Sequence, residues 1–300
     1  MWPRHHAGVR VGVIDVGSNT VRLHVADGRE NVYGRKALLG LGEAVERHGE
    51  IPEAKLDEVA ETVEDYVAEA RRRSAERIEV LVTSPGRQAR NGGELIQRLQ
   101  TASGVSVRLL SADEEGRLGF LGAMSGTHGS SRKVVAVCDV GGGSAQISIG
   151  TRRDGPEWVR SVDIGSMRLT SRLLNDDPPG TDAIARAREE VARVFDGLEP
   201  PLPQRAYAVG GSARALRAFT GDAKLGLDEL GAAIELLARM RTDQVARLAD
   251  CELGRARTLP AGAIILERIC TVLGEPLNVV RRGGLREGAA LELDRRAIAA

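Results

Sequence analysis

The sequence predicts an α/β protein built from two similar halves, and two observations carry that expectation. Short apolar, strand-like runs alternate with segments whose apolar residues recur at helical spacing. The motif D-V-G-x-x-[ST] occurs twice, as Asp15-Val16-Gly17-Ser18-Asn19-Thr20 and as Asp139-Val140-Gly141-Gly142-Gly143-Ser144, each time at the end of the first strand of a strand-turn-strand unit. Aromatic residues make up only 3% of the 300 residues, so the core has to be assembled from Val, Leu, Ile and Ala.

The elements follow in order. VRVGVID at 9–15 is a short apolar run that ends in the first glycine turn. TVRLHVAD and NVYGRKALLG come next, separated by a turn at Asp27-Gly28, and together the three runs predict an antiparallel meander. Leu56, Val59, Val63, Val67 and Ala70 stand three and four apart, which predicts an amphipathic helix. Arg71, Arg72 and Arg73 close it, as solvated charges that complement the helix dipole. IEVLVT at 78–83, a helix near 92–102, VSVRLL at 105–110 and a helix opening in SADEEGRLGFLGAM extend the sheet and cover it. At VVAVCDVGGGSAQISIG the pattern restarts, with EWVRSVDIG as its third strand. The polar, glycine-rich SGTHGSSRK at 125–133 is the expected boundary, giving domains 1–128 and 129–300. From about 180 onward the chain reads as helical, interrupted by RAYAVGGSARAL and VVRRGGLREG.

Composition narrows the function classes. Forty-two basic residues balance 42 acidic ones, which argues against a protein that coats nucleic acid or an acidic membrane. Scarce aromatics argue against extensive stacking on bases. Cys138, Cys251 and Cys270 are too few and too dispersed for a disulfide framework or a metal knuckle, and Cys138 reads as a small buried hydrophobe. No run approaches the roughly 20 apolar residues that span a bilayer, and no apolar leader precedes the first strand. A cytoplasmic location is the expectation. His5 and His6 read as solvated terminal residues rather than ligands.

Glycines at the tip of a strand-turn-strand unit permit backbone angles closed to other residues and leave N–H groups uncovered, and a row of such groups forms an anion-binding nest. Ser18, Asn19, Thr20 and Ser144 add side-chain donors. Two nests facing one another across a cleft would hold a chain of phosphates. An aspartate beside bound phosphate would be repelled unless a cation intervened, so Asp15 and Asp139 are candidate anchors for Mg²⁺ (or Mn²⁺); the bland alternative is that they cap their own turns. Ser111 and Glu114 stand as S-x-x-E, a capping box, which leaves Glu115 without a capping task, next to Gly116. Glu115 is a candidate general base for water, against the commoner reading of an exposed first-turn glutamate. Arg87 and Arg90 in VTSPGRQARN could offer forked hydrogen bonds to phosphate or be surface residues. Gly210, Gly211 and Ser212 open a helix after a strand, where an anion or nucleotide could sit, or where strand and helix merely pack closely.

Taken together these residues resemble the exopolyphosphatase / guanosine pentaphosphate phosphatase (Ppx/GppA) family, within the superfamily of actin, Hsp70 and the sugar kinases. VGVIDVGSNTVRL resembles its first phosphate loop, VTSPGRQARN its T-S-x-x-R-x-A-x-N segment, LLSADEEGRLGFLG its S-G-x-E-E-A-R-L helix and VCDVGGGSAQISIG its second phosphate loop. AVGGSARAL, LPAGAIIL and GGLREGAALEL resemble later signatures. The resemblance implies two actin-like (ribonuclease H-like) domains with an interdomain cleft, and hydrolysis of the terminal phosphoanhydride of inorganic polyphosphate. It implies Glu115 as the base that activates water and as part of the metal site, Arg87 as a phosphate ligand, Asp139 as the Mg²⁺-associated carboxylate, and the loops 17–20 and 141–144 as holders of the phosphates. A homodimer is expected on the resemblance alone. The alternatives are pppGpp hydrolysis on the same scaffold, an ATP-dependent kinase of the superfamily, and a non-catalytic polyphosphate or alarmone sensor. Gly116 stands where the family has Ala, Pro85-Gly86 where larger residues are common, and Arg281-Arg282 where a polar residue is usual. The helical HD-type domain of longer relatives is not expected, because no His-Asp pair occurs.

Overall fold

The computed structural model describes residues 9–299, so His5 and His6 lie outside the described residues. The chain divides into two compact units. One holds the described residues up to Leu118 together with those from Leu285 onward, and the other holds Gly119–Gly284.

In the first unit β1 (Arg10–Val16), β2 (Thr20–Asp27) and β3 (Glu30–Leu38) form the antiparallel meander. The chain then runs through α1 (Leu41–His48) and α2 (Glu53–Arg72) to β4 (Arg77–Val82), which adds parallel to β1. A short helix α3 (Ser84–Gln88) and α4 (Gly92–Ser103) lead to β5 (Ser106–Leu109), parallel to β4, and then to α5 (Ala112–Ser125). The sheet order is β3-β2-β1-β4-β5. Leu56, Val59, Val63, Val67 and Ala70 are all buried on one face of α2, as their spacing predicts, and pack on Ile14, Val16, Leu23 and Val80. The closing arginines do more than face water. Arg72 and Arg73 both grip Glu69, at 2.6 and 2.8 Å, and Arg73 lies over the Tyr33 ring.

The second unit repeats the plan. β6 (Val134–Val140), β7 (Ala145–Thr151) and β8 (Gly155–Val162) form a second meander, followed by α6 (Ser166–Leu173) and α7 (Thr181–Val194). β9 (Ala206–Val209) pairs parallel to β6 and runs into α8 (Gly210–Thr220). The short β10 (Lys224–Leu225) precedes α9 (Leu227–Leu237), α10 (Thr242–Leu248), α11 (Leu253–Arg257) and α12 (Leu259–Leu273), and β11 (Leu277–Val279) pairs parallel to β9. With β10 added at one edge, the order is β10-β11-β9-β6-β7-β8. Taking each unit's strands in chain order and setting β10 aside, both sheets read 3-2-1-4-5, with only the second strand reversed. That is the ribonuclease H-like arrangement of actin-like domains. The apolar α12 packs its Leu259, Ile264, Ile265 and Ile269 into the core, and Cys138 is buried there as a small hydrophobe, its thiol pushed up by burial.

The unit boundary differs from the one the sequence suggested at 128/129. The polar 125–133 segment is a surface connection inside the second unit, and the break falls within α5, between Leu118 and Gly119. The last helix, α13 (Leu285–Ala299), returns to the first unit, where Ala289 and Ala290 pack with Val11, Val13 and Leu118. Both features rest on contacts distant in sequence, which local patterning does not register. Gly122 of α5 lies so close to the 282–284 segment that a β-carbon there would sit 1.9 Å from the Gly284 carbonyl oxygen. No helix among the described residues is long and apolar enough to cross a membrane.

Candidate active site

Each glycine loop ties off its strand pair in the same way. Gly17 N–H donates to Thr20 O at 3.1 Å, and Gly141 N–H donates to Ser144 O at 3.0 Å. The loop carbonyls are then taken by the start of the following helix. Asn19 O accepts from Leu39 and Gly40, and Ser18 O from Gly42; Gly141 O accepts from Ser166, and Gly142 O from Met167 and Arg168. Among the described residues no backbone carbonyl is paired with the N–H groups of Ser18, Asn19, Gly142 or Gly143. Carbonyls turned into the protein and uncommitted amides are what an anion nest requires.

One of the two reasons the sequence suggested for the glycines, unusual backbone angles, does not apply. None of Gly141, Gly142 and Gly143 takes a positive φ, so the backbone freedom of glycine is not what the loop uses. The close approach comes from Gly165, whose β-carbon would lie 2.3 Å from Gly142 O. The positive φ falls instead at Gly210, at +87°, where a β-carbon would meet Asp139 Oδ1 at 2.2 Å. Asp139 at the end of β6 and Gly210 at the start of α8 therefore belong to one feature.

In the first unit the TSPGR segment is bonded to the loop. Ser18 and Ser84 share a hydroxyl hydrogen bond of 2.7 Å, both side chains being buried, and Thr83 N–H donates to Val16 O. Pro85 and Gly86 form the first turn of α3, and Gly92 passes so close that its β-carbon would meet Gly86 O at 2.0 Å. From that helix Arg87 donates through Nη1 to Leu110 O at 2.8 Å and through Nη2 to Glu115 Oε2 at 2.9 Å. The two side chains retain only 20% and 15% of their exposure. Two of five guanidinium donors are used in this grip. Arg90 stands apart, exposed and bonded to His48 O and Glu50.

The division of labour at the start of α5 is as its spacing predicts. Ser111 N–H donates to Glu114 at 2.8 Å and Glu114 N–H donates to the Ser111 hydroxyl at 3.1 Å. The bond from the Ser111 backbone holds the Glu114 carboxyl below its usual value. Glu115, one residue on, turns to Arg87 instead.

The remaining sequence candidates have partners within the protein. Ser212 is wholly buried; its hydroxyl donates to Val140 O and accepts from Arg255 Nη1, each at 3.2 Å. A β-carbon at Gly211 would lie 2.6 Å from Arg255 Nη2, so Arg255 covers that turn. Ser144 is buried and accepts from Gln146 at 2.9 Å. Thr20 accepts from Arg22 Nε at 3.2 Å. Asp15 carries Arg286 at 3.4 Å; burial raises its pKa and Arg286 opposes the rise. Ser84, Gly165, Arg255 and Arg286 were not singled out from the sequence, although Ser84 lay in the quoted VTSPGRQARN motif and Arg286 in the GGLREG signature.

No group of three His, Cys, Asp or Glu side chains among the described residues could hold a metal ion. Mg²⁺ needs no such cage, because it binds through one or two carboxylates together with phosphate oxygens and waters. Asp139, half-buried and packed against a residue that has no side chain, fits that requirement. Asp15 has Arg286 facing one of its oxygens.

The family model described as "Ppx/GppA phosphatase family" matches residues 21–296. Exopolyphosphatase 1 of Mycobacterium tuberculosis is 31% identical over 303 residues, covering 94% of this chain and 88% of that protein. Exopolyphosphatase 2 of the same organism is 27% identical, covering 95% and 98%. Among solved structures, an Aquifex aeolicus Ppx/GppA family member superposes with a TM-score of 0.80 at 24% identity, covering 97% of this chain and 98% of its own. An exopolyphosphatase from Cytophaga hutchinsonii gives a TM-score of 0.84 at 21% identity, covering 96% and 98%. At that identity the structures speak to the fold.

Proposed function

Since this chain belongs to the Ppx/GppA phosphatase family, we propose that it is an exopolyphosphatase, cleaving the terminal phosphoanhydride of inorganic polyphosphate and releasing orthophosphate. The observation that carries this reading is the pair formed by Glu115 and Arg87 in the first unit. A carboxylate relieved of capping duty and fixed by a forked guanidinium is suited to take a proton from water. The water oxygen attacks the terminal phosphorus, the proton passes to Glu115, and the bridging P–O bond breaks so that the shortened chain leaves with the electron pair. Such a reaction asks for positioning and charge neutralisation more than for covalent chemistry. The amides of loop 17–20, on the same unit as Glu115, supply donors to phosphate oxygens, Arg87 adds charge beside Glu115, and the second unit's loop 141–144 offers amides of the same kind. Mg²⁺ held by Asp139 would neutralise phosphate charge.

Relatives bearing the name exopolyphosphatase support polyphosphate as the substrate. The experiment is a phosphate-release assay with no acceptor present, in which long-chain polyphosphate and pppGpp compete. Preferential consumption of polyphosphate bears the proposal out. Preferential consumption of pppGpp assigns the scaffold to the alarmone, and a requirement for an acceptor assigns it to phosphoryl transfer.

A further inference from the structure

The glycine loop at 141–144 lies at one end of the second unit's strands. At the other end is a cavity of about 70 Å³ lined by Met124, Ser130, Lys133, Arg152, Arg205 and Tyr207, among others. From Val135, which also lines it, to Val140 the strand β6 advances five residues, so the cavity stands about 17 Å from the loop. It is a separate place on the same unit.

Three cationic residues line it, and among the described residues no carboxylate pairs with Lys133, Arg152 or Arg205, whereas the neighbouring Arg153 is paired with Asp154. Arg152 is not a loose surface arginine. Its Nη1 donates to Thr127 O and its Nη2 to the Thr127 hydroxyl at 2.9 Å, while its Nε is buried without a hydrogen-bond partner. Like charges brought near one another without an acid repel one another, and Met124, Val135 and Tyr207 form an apolar wall beside them. An oxyanion relieves that repulsion and is the ligand such a set of donors recognises. The volume exceeds the roughly 10–15 Å³ that one water requires, yet it is small for a nucleoside. It suits one tetrahedral group.

We infer that this cavity is a second phosphate-binding site, distinct from the glycine loops, which takes a single phosphoryl group through Lys133, Arg152 and Arg205. The group is either free orthophosphate or the end of a phosphate chain. The inference does not rest on the hydrolytic reading, because it concerns binding alone.

The test is calorimetric titration of the full chain with orthophosphate and, separately, with methylenediphosphonate, whose bridge cannot be hydrolysed. Lys133 and Arg205 are exposed, so the variant carrying both Lys133→Ala and Arg205→Ala keeps the fold, checked by an unchanged Tm. A second variant, Lys224→Ala with Arg239→Ala, removes the same charge from exposed positions elsewhere on the unit. The expected result is loss of one bound equivalent, or at least a tenfold weaker affinity, in the first variant and not in the second. If orthophosphate binding falls, the free anion is a ligand; if only methylenediphosphonate binding falls, the ligand is a chain end. Unchanged isotherms for both ligands, an equal loss in the control variant, or a parent chain that binds neither ligand overturns the inference.

Discussion

Glu114 and Glu115 are chemically alike and adjacent, and what separates them is a hydrogen bond from a backbone amide. Glu114 receives the Ser111 N–H and is committed to the helix end; Glu115 receives Arg87. Arg87→Lys keeps the positive charge but cannot donate to Leu110 O and Glu115 together. Steady-state kinetics should show kcat lower by roughly 100-fold, the cost of a carboxylate displaced by about an ångström; an unchanged kcat would mean that the grip is incidental. Gly210 is the second such residue. Gly210→Ala places a methyl on the Asp139 carboxylate and forces a left-handed backbone on a residue with a side chain. Urea denaturation should show a loss of at least 1–2 kcal/mol, the cost of the backbone conformation alone. The role of Glu115 was legible because the S-x-x-E spacing accounted for its neighbour. The strain at Gly210 was not, because it arises from a carboxylate about seventy positions earlier in the chain. The triple glycine misled only in suggesting unusual backbone angles, since none of the three takes a positive φ.

Local periodicity and capping chemistry decide the elements well where one face is buried and the ends are marked. α2 followed its apolar spacing residue by residue, and the capping box at Ser111 and Glu114 formed as written. The box also has a pH signature. Because the folded state holds the Glu114 carboxyl below its usual value, its contribution is present above the unfolded pKa and is lost as pH falls through the folded one. Gln keeps the capping hydrogen bond but loses the charge at the helix start, so Glu114→Gln should be less stable than the parent near neutral pH by roughly 0.3–1 kcal/mol, and the two should converge in acid. Denaturation midpoints that differ equally at both pH values would contradict this. Shorter pieces were harder to read. α3 and β10 span only five and two residues, too few for a period to register.

At the scale of the molecule, the repeated D-V-G-x-x-[ST] motif was the visible trace of two sheets with the same strand order. It was legible because each copy sits at the tip of a first strand, where tying off the hairpin needs the same N–H to carbonyl bond. What stayed hidden was the return of α13 to the first unit and the break inside α5, both made by apolar contacts such as Ala289 with Val11 that no local pattern encodes. The functional account concerns the whole chain. Orthophosphate release from long-chain polyphosphate, followed for the parent and for Glu115→Gln with no acceptor present, tests it most directly. The account predicts steady release by the parent, and for Glu115→Gln a rate lower by roughly 100- to 10,000-fold with polyphosphate affinity retained. Equal rates for the two proteins, or no release by the parent, would contradict it.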